Sequence, residues 1–318
     1  GKVVRMFCSI TYPDGRPFEC DTRSLLKKAV RDASESGMTF FFGAEQEFYL
    51  FELDDRNMPT KNPYDLAGYM DIAPDDRGEN VRREICLTLE QMGIQPESSH
   101  HEMGPGQNEI DFRYAEALTA ADNVMTFQTV VRTVARRSGL YADFSPKPLA
   151  DQPGNGFHIN ISARPDDSGG ILRRIIAGEL EKAVPSSLFF NPSESSYSRL
   201  GQMKAPKYVS WSEENRSQLI RLPAASGEYS RAELRSPDPT ANPYLAFALT
   251  IWAGLYGVRN GLEPPEPADV NLYRAGESAL SAMKKLPGSL SEAVEAARAD
   301  DFIAGHIPPG ILDIYCGK

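Results

Sequence analysis

The chain is poor in the residues that mark several large function classes. Its four cysteines, Cys8, Cys20, Cys86 and Cys316, are scattered over 318 residues without paired spacing. That argues against a disulfide framework or a thiolate zinc cluster and fits a reducing, cytoplasmic setting. Basic charge is scarce too. With 34 Lys and Arg against 44 Asp and Glu, the net charge is -10, which argues against a general nucleic-acid or anionic-membrane surface but leaves room for a local anion pocket. The longest apolar helical run, PYLAFALTIWAGLYGV over residues 243–258, falls short of the roughly 20 residues a bilayer span needs and reads as a buried core helix. No secretion signal opens the chain, no repeat recurs, and no Ser/Gly linker or charge block divides it. Residues 1–318 therefore read as one domain, with the Pro-rich 263–267 crossing its surface. The first residue is not Met and the pattern is strand-like at once, so the chain reads as trimmed at its start.

What is present alternates in type. Residues 2–11 read as a strand closed by Pro13-Asp14-Gly15, and Thr22 or Ser24 can cap a helix that Gly37 stops. A long strand follows over 38–53. Helical spacing marks 79–92, 117–138 and 171–183, and strands are expected at 156–163, 217–223 and 230–236, with weaker helices after Gly276 and Ser291. Helices and strands intersperse without even βα units, which favours α+β over a doubly wound sheet.

The informative stretch is SSHHEMGPGQNEIDFRY, residues 98–114, in which Glu102 and Glu109 bracket a Gly104-Pro105-Gly106 turn. The turn predicts a hairpin that brings the two acids together. Carboxylates about 4 Å apart repel by roughly 4 kcal/mol at an effective dielectric near 20, so the pair calls for a shared proton or a cation unless it is a solvated acidic loop. In GAEQEFYLF, Glu45 and Glu47 are two apart and share a strand face, as do His158 and Asn160 in GNGFHINIS and Arg231, Glu233 and Arg235 in YSRAELRSPDP. A solvent-facing edge accounts for one such pair, but three strands repeat the device. If these faces and the turn line one cavity, Glu45, Glu47, Glu102, Glu109, Glu233 and His158 converge there. That donor set suits hard cations, magnesium or manganese, in two or more positions. Arg199, Arg216, Arg221, Arg231 and Arg235 supply the counterpart, guanidinium forks suited to phosphate and carboxylate. Together they indicate a nucleotide phosphate donor and an anionic acceptor.

At this point the chain resembles the glutamine synthetase family, through YPDGRPFECDTR, GAEQEFYLF, HHEMGPGQNEIDFRY, GNGFHINIS, NRSQLIRLP and YSRAELRSPDPTANPYLAFAL in that order. The resemblance implies the family's C-terminal catalytic domain, a curved, largely antiparallel sheet with helices packed outside, as in the guanido kinases. It implies that the family's N-terminal β-grasp domain is absent and the C-terminal tail cut short. Carried over by position, it implies Glu47, Glu102 and Glu109 as ligands of one metal and Glu45, His158 and Glu233 as ligands of the other. It further implies Arg199 and Arg235, with Gly154, at the amino-acid substrate. Arg216, Arg221 and Arg231 would handle the phosphates, Arg216 and Arg231 as catalytic groups, and Tyr114 and Ser162 would contact ATP. The implied chemistry is ATP-dependent activation of glutamate as γ-glutamyl phosphate, which ammonia converts to the amide, in a ring of subunits. Three departures stand out. Lys204 precedes Ala205-Pro206 where the family places a Glu that receives the ammonium proton, Pro153 stands where an Asn is frequent, and Asn160 where a second His is frequent. These leave open a γ-glutamyl ligase for another amine, or a non-catalytic regulatory homologue; a guanidino-phosphotransferase fits less well, since it needs fewer metal ligands.

Overall fold

The spine of the fold is strand β1 (Thr39–Leu53), TFFFGAEQEFYLFEL, whose aromatic content suits a pleated, half-buried surface. Its period of two separates two faces. Phe40, Phe42, Ala44 and Phe48 are buried on one side, and Glu45 and Glu47 stand on the other. A computed structural model describes residues 4–165, 170–224 and 230–317.

Around β1 lie β2 (Pro59–Pro63), β3 (Pro96–His101), β4 (Gln107–Glu116), β5 (Leu140–Asp143), β6 (Phe157–Arg164), β7 (Trp211–Glu213), β8 (Ile220–Leu222) and β9 (Ala232–Leu234). They form one open sheet in the order β3-β4-β1-β6-β9-β8-β7, with β2 and β5 also paired to β1. Every pairing is antiparallel except β7 with β8. The helices are α1 (Thr22–Glu35), α2 (Glu79–Gln91), α3 (Ala117–Arg137), α4 (Gly170–Phe190), α5 (Glu194–Arg199) and α6 (Pro243–Arg259), then the shorter α7 (Glu277–Leu280), α8 (Leu290–Ala299), α9 (Asp301–His306) and α10 (Pro309–Tyr315). This is the α+β class that the irregular succession of elements implied.

The apolar face of the sheet packs on helices and its polar face is left for chemistry. Helix α6 is apolar all round because it lies between α1, α3 and α4. Phe247 on α6 stacks on Phe42 of β1 with ring centroids 4.4 Å apart, and each such buried ring contributes about 1.5–3 kcal/mol. Helices α4 and α6 approach so closely that a Cβ on Gly257 would lie 1.9 Å from the carbonyl oxygen of Arg174.

Three expectations need correction. Residues 4–10 form no strand: Val4, Met6 and Ile10 are exposed, and the segment's β contact is a single bridge between Thr11 and Pro17, so its alternation has no neighbouring strand to pair with. The cap of α1 is Asp21, whose carboxylate accepts from Arg23 N, Ile10 N and Ser24 Oγ, rather than Thr22 or Ser24. Helix α4 continues past residue 183 through Pro185 to Phe190. Proline leaves the carbonyl of Glu181 without its helical donor, but Leu188, Phe189 and Phe190 are buried in the core and hold the last turns in the helix.

Candidate functional site

Strand register assembles the site, because directly opposed residues share a face about 5 Å apart. Glu47 lies opposite Glu109, and Glu109 opposite His100. One step along, Glu45 lies between Asp111 and His158, with Ser98 beyond Asp111. Further on, Gly43, Asn160, Glu233 and Arg221 follow one another across β1, β6, β9 and β8. A bulge in the β1–β4 pairing near Gly43 shifts the parity of β4 and turns Tyr114 to the polar face.

The hairpin between β3 and β4 supplies Glu102, as its turn residues suggested. Glu102 N donates to Gln107 O at 2.8 Å and Gln107 N to Gly104 O at 2.9 Å, and Gly106 takes a φ of 69°, a conformation glycine adopts without strain. Behind the turn, His101 is fully buried with Nδ1 2.6 Å from Glu102 O and Nε2 2.8 Å from Asp65 Oδ1. Burial opposes its charge, but the Asp65 carboxylate and the Glu102 carbonyl raise its pKa. Both ring nitrogens therefore face acceptors and tie the hairpin to residues 65–67.

The carboxyls crowd one another. Glu109 is pushed well up from the usual range by burial and then by Asp111, Glu47, Glu45 and Glu102. Asp111 is likewise pushed well up by burial and Glu45. Burial and Glu102 also raise Glu47, although Gly156 N donates to its Oε2 at 2.6 Å. Burial holds His158 well below its ordinary value, so its imidazole is neutral and keeps a lone pair. Ligand atoms gather within 4.8 Å in Glu45, His158 and Glu233; in Glu47, Glu109 and His158; in His100, Glu102 and Glu109; and in Glu45, Glu109 and Asp111. These groups, rich in carboxylate oxygen with His158 or His100 beside them, fit hard divalent cations. Glu102 is joined to Glu47 through Glu109 rather than within one compact group.

Cations lie among the acids. Arg235 donates through Nη1 to Glu233 and through Nε to Arg216 O at 3.1 Å. Arg221 Nε lies 2.7 Å from Glu233 Oε2 without hydrogen-bond alignment. Buried Arg199 donates to the carbonyls of Ser236 and Arg235, 2.8 and 3.3 Å away, and packs so tightly on Gly154 that a Cβ there would lie 2.8 Å from its Cγ. Arg231 Nε donates to Asn160 Oδ1 at 3.0 Å, and Asn160 Nδ2 to Glu45 Oε1 at 2.7 Å. A cavity of about 290 Å³ is lined by Glu45, Glu47, Glu102, Glu109, His158 and Glu233 together with Arg216, Arg221, Arg235 and Lys204. Tyr114, Ser162 and Arg231 line a neighbouring cavity of about 280 Å³, which shares Glu45, Ser98 and Asp111 with the first. Gly154 and Arg199 line a recess beside them that shares Glu47, Glu102, His158 and Lys204 with the first cavity.

A family model of the glutamine synthetase catalytic domain matches residues 19–317. The chain belongs to the glutamine synthetase family. It is 45% identical over 317 residues to a glutamine synthetase of Clostridium saccharobutylicum, covering 95% of this chain and 72% of that relative. It is 44% identical over 319 residues, with the same coverage, to a glutamine synthetase of Staphylococcus aureus. Among solved structures, a GmaS complex with ADP aligns with a TM-score of 0.85 at 30% identity, over 96% of this chain and 74% of that one. A Plasmodium falciparum glutamine synthetase aligns with a TM-score of 0.84 at 22% identity, over 98% and 77%, and supports the shared fold.

Set within the glutamine synthetase family, several site residues escaped the sequence reading. Asp111 is two residues from Glu109 on β4, and the same alternation that singled out Glu45 and Glu47 marks it. His100, opposite Glu109 on β3, carries the same signal. Tyr69 carries none: it reaches the cavity from the loop after β2, lies close enough to Arg216 to raise its pKa and sits under Lys204, whose Nζ is 4.4 Å from the ring centroid. Gln107, whose Nε2 donates to Glu47 Oε2 and Gly154 O at 3.3 and 3.2 Å, is hidden in the turn. Lys204, the departure at the acceptor loop, pairs with Glu102 Oε2 at 2.8 Å.

Proposed function

We propose that this chain is the catalytic domain of an ATP-dependent carboxylate-amine ligase that makes glutamine from glutamate and ammonia through a γ-glutamyl phosphate. One observation carries the reading: strand register and a single hairpin bring five glutamates and His158 to one face of the sheet, in a cavity that Arg216, Arg221 and Arg235 also line. Acids and guanidiniums interleaved around one cavity suit a polyphosphate that arrives with divalent cations.

Glu47, Glu102 and Glu109 would hold one magnesium or manganese ion, and Glu45, His158 and Glu233 the other. When bound, the ions neutralise phosphate charge and polarise the transferred group. The residues of the chain do the rest. Tyr114, Ser162 and Arg231 border the cavity that receives the nucleotide, and Arg216 and Arg221 lie where charge develops on the transferred phosphoryl. Arg199 and Arg235, held rigid by backbone carbonyls, face the amino-acid carboxylate beside Gly154. A carboxylate oxygen is a poor leaving group, so phosphorylation must precede amide formation. The family's subunit ring and a cytoplasmic location belong to the same reading; among the described residues no helix is long and apolar enough to cross a membrane.

Lys204 favours a second reading, ligation of glutamate to an organic amine, because a cation in the acceptor loop cannot take the ammonium proton as an acid would. The test follows ATP-dependent phosphate release by the full-length protein, since the domain alone is expected to be weak or inactive, with glutamate and either ammonium or a panel of primary amines. Release with ammonium and a glutamine product is expected, and Glu233→Gln should lower it by on the order of 100-fold. Release only with an organic amine would move the conclusion to the second reading. Release with none of them, at saturating ATP and metal, would remove both.

A further inference from the structure

We propose that Lys204 is an internal counter-ion of Glu102 that competes with a divalent cation for this carboxylate, so that this one side chain weakens one metal position and not the other. The inference rests on the reading that Glu47, Glu102 and Glu109 hold a cation.

Three groups already engage Glu102, two of them on one oxygen. Its Oε2 accepts from Met103 N at 3.0 Å and from Lys204 Nζ at 2.8 Å, and its Oε1 lies 3.2 Å from His100 Nε2. A cation that ligates Oε2 competes with Met103 N–H and Lys204, whereas Oε1 meets His100 alone. Met103 N–H is fixed backbone. The Lys204 ammonium, on a flexible stem and 28% exposed against 5% for Glu102, is the partner that can leave, since an ammonium and a divalent ion on one carboxylate repel each other.

The loop that carries Lys204 is shaped to deliver it there. Lys204 has a φ of 73° and Met203 of 28°, a left-handed backbone that costs a non-glycine residue stability and persists only where surrounding contacts hold it. Those contacts are the Glu102 pair, the Tyr69 ring and Arg235 Nη2, which donates to Lys204 O at 3.3 Å. The other metal position is built differently. Glu233 is paired with Arg221 and Arg235, and Glu45 with Asn160 and His158; none of these contacts involves the Lys204 side chain. The separation of Glu102 from Glu47 in the ligand groups is what a carboxylate engaged by Lys204 and His100 gives.

The test is calorimetric titration of manganese, without ATP or glutamate, into the wild-type protein, Lys204→Gln and Lys204→Arg. Two classes of site are expected in the wild type. Lys204→Gln should tighten one class by about tenfold and leave the other within about twofold, while Lys204→Arg, which keeps the charge, should resemble the wild type. Amide exchange in residues 201–205 should speed up on manganese addition in the wild type, as the lysine is released. Two classes that both keep their affinity in Lys204→Gln, or that shift together, would overturn the counter-ion role and leave the metal reading intact. No manganese binding by the wild type would remove the metal reading and this inference with it.

Discussion

At the scale of single residues, the chain carries acids that burial forces into different states. Glu179 on α4 is 3% exposed with no hydrogen-bond partner for Oε1, and burial alone pushes its carboxyl well above the usual range. The unfolded chain ionises this group near the ordinary value while the folded chain keeps it protonated. Its contribution to stability is therefore full at low pH and is lost as pH rises from about 4.5 through the raised folded value. Replacing it by Gln removes that dependence, so Glu179→Gln should gain on the wild type by about 1.4 kcal/mol per pH unit across that window. Urea denaturation between about pH 5 and pH 7 measures the slope; parallel curves for the two proteins would show that Glu179 is already ionised in the fold. Glu45, Glu47, His158 and Glu233 were legible in the sequence because the pleat fixes which way alternate residues point. Lys204 and Tyr69 meet Glu102 and Arg216 through loops, where no period constrains direction, and only the folded chain shows those contacts.

Elements were legible where a pattern had a partner to pack on. The β1, α2, α3 and α6 expectations hold to within a residue or two because a period and a stop signal coincide, as with Gly93 after α2 and Gly139 after α3, both at positive φ. Residues 4–10 show the converse, alternation without a neighbouring strand. Helices α9 and α10 were missed because each is a short piece, of six and seven residues, too short for a 3.6-residue period to register. The α4–α6 contact is a matter of spacing that no periodicity reveals. A methyl on Gly257 would sit 1.9 Å from backbone of α4, and one on Gly178 would sit 2.0 Å from Ala253 O. Rigid backbone cannot yield as a side-chain tip can, so Gly257→Ala should separate the helices and cost about 3 kcal/mol or more. Gly305→Ala in α9, where nothing lies within 4 Å, should instead be neutral or gain up to about 1 kcal/mol. Thermal unfolding of the two variants checks this, and equal midpoints would mean that α4 and α6 can slide apart freely.

For the molecule as a whole, the net charge of -10 matters less than where the acids lie. Folding draws Glu45, Glu47, Glu102, Glu109, Asp111 and Glu233 around one cavity, and the arginines among them neutralise it only in part: Glu109 and Asp111 remain protonated well above their ordinary range. The fold thus works against its own electrostatics at this place, and a divalent cation that binds only the native state relieves the conflict. Stabilisation then follows mass action, about 2.7 kcal/mol at a metal concentration 100 times the dissociation constant. With an unfolding entropy of about 2 cal/mol/K per residue, that raises the unfolding midpoint of a chain this long by about 4 °C. Magnesium or manganese should therefore raise the midpoint, a chelator should reverse the rise, and Glu233→Ala and Glu47→Ala should each remove part of it. Since each ion displaces protons from the crowded carboxyls, the same titration in weak buffer should release acid. Midpoints that stay fixed from chelator to millimolar metal would show that the carboxylates satisfy one another by sharing protons, and that the cavity holds no ion in the absence of nucleotide.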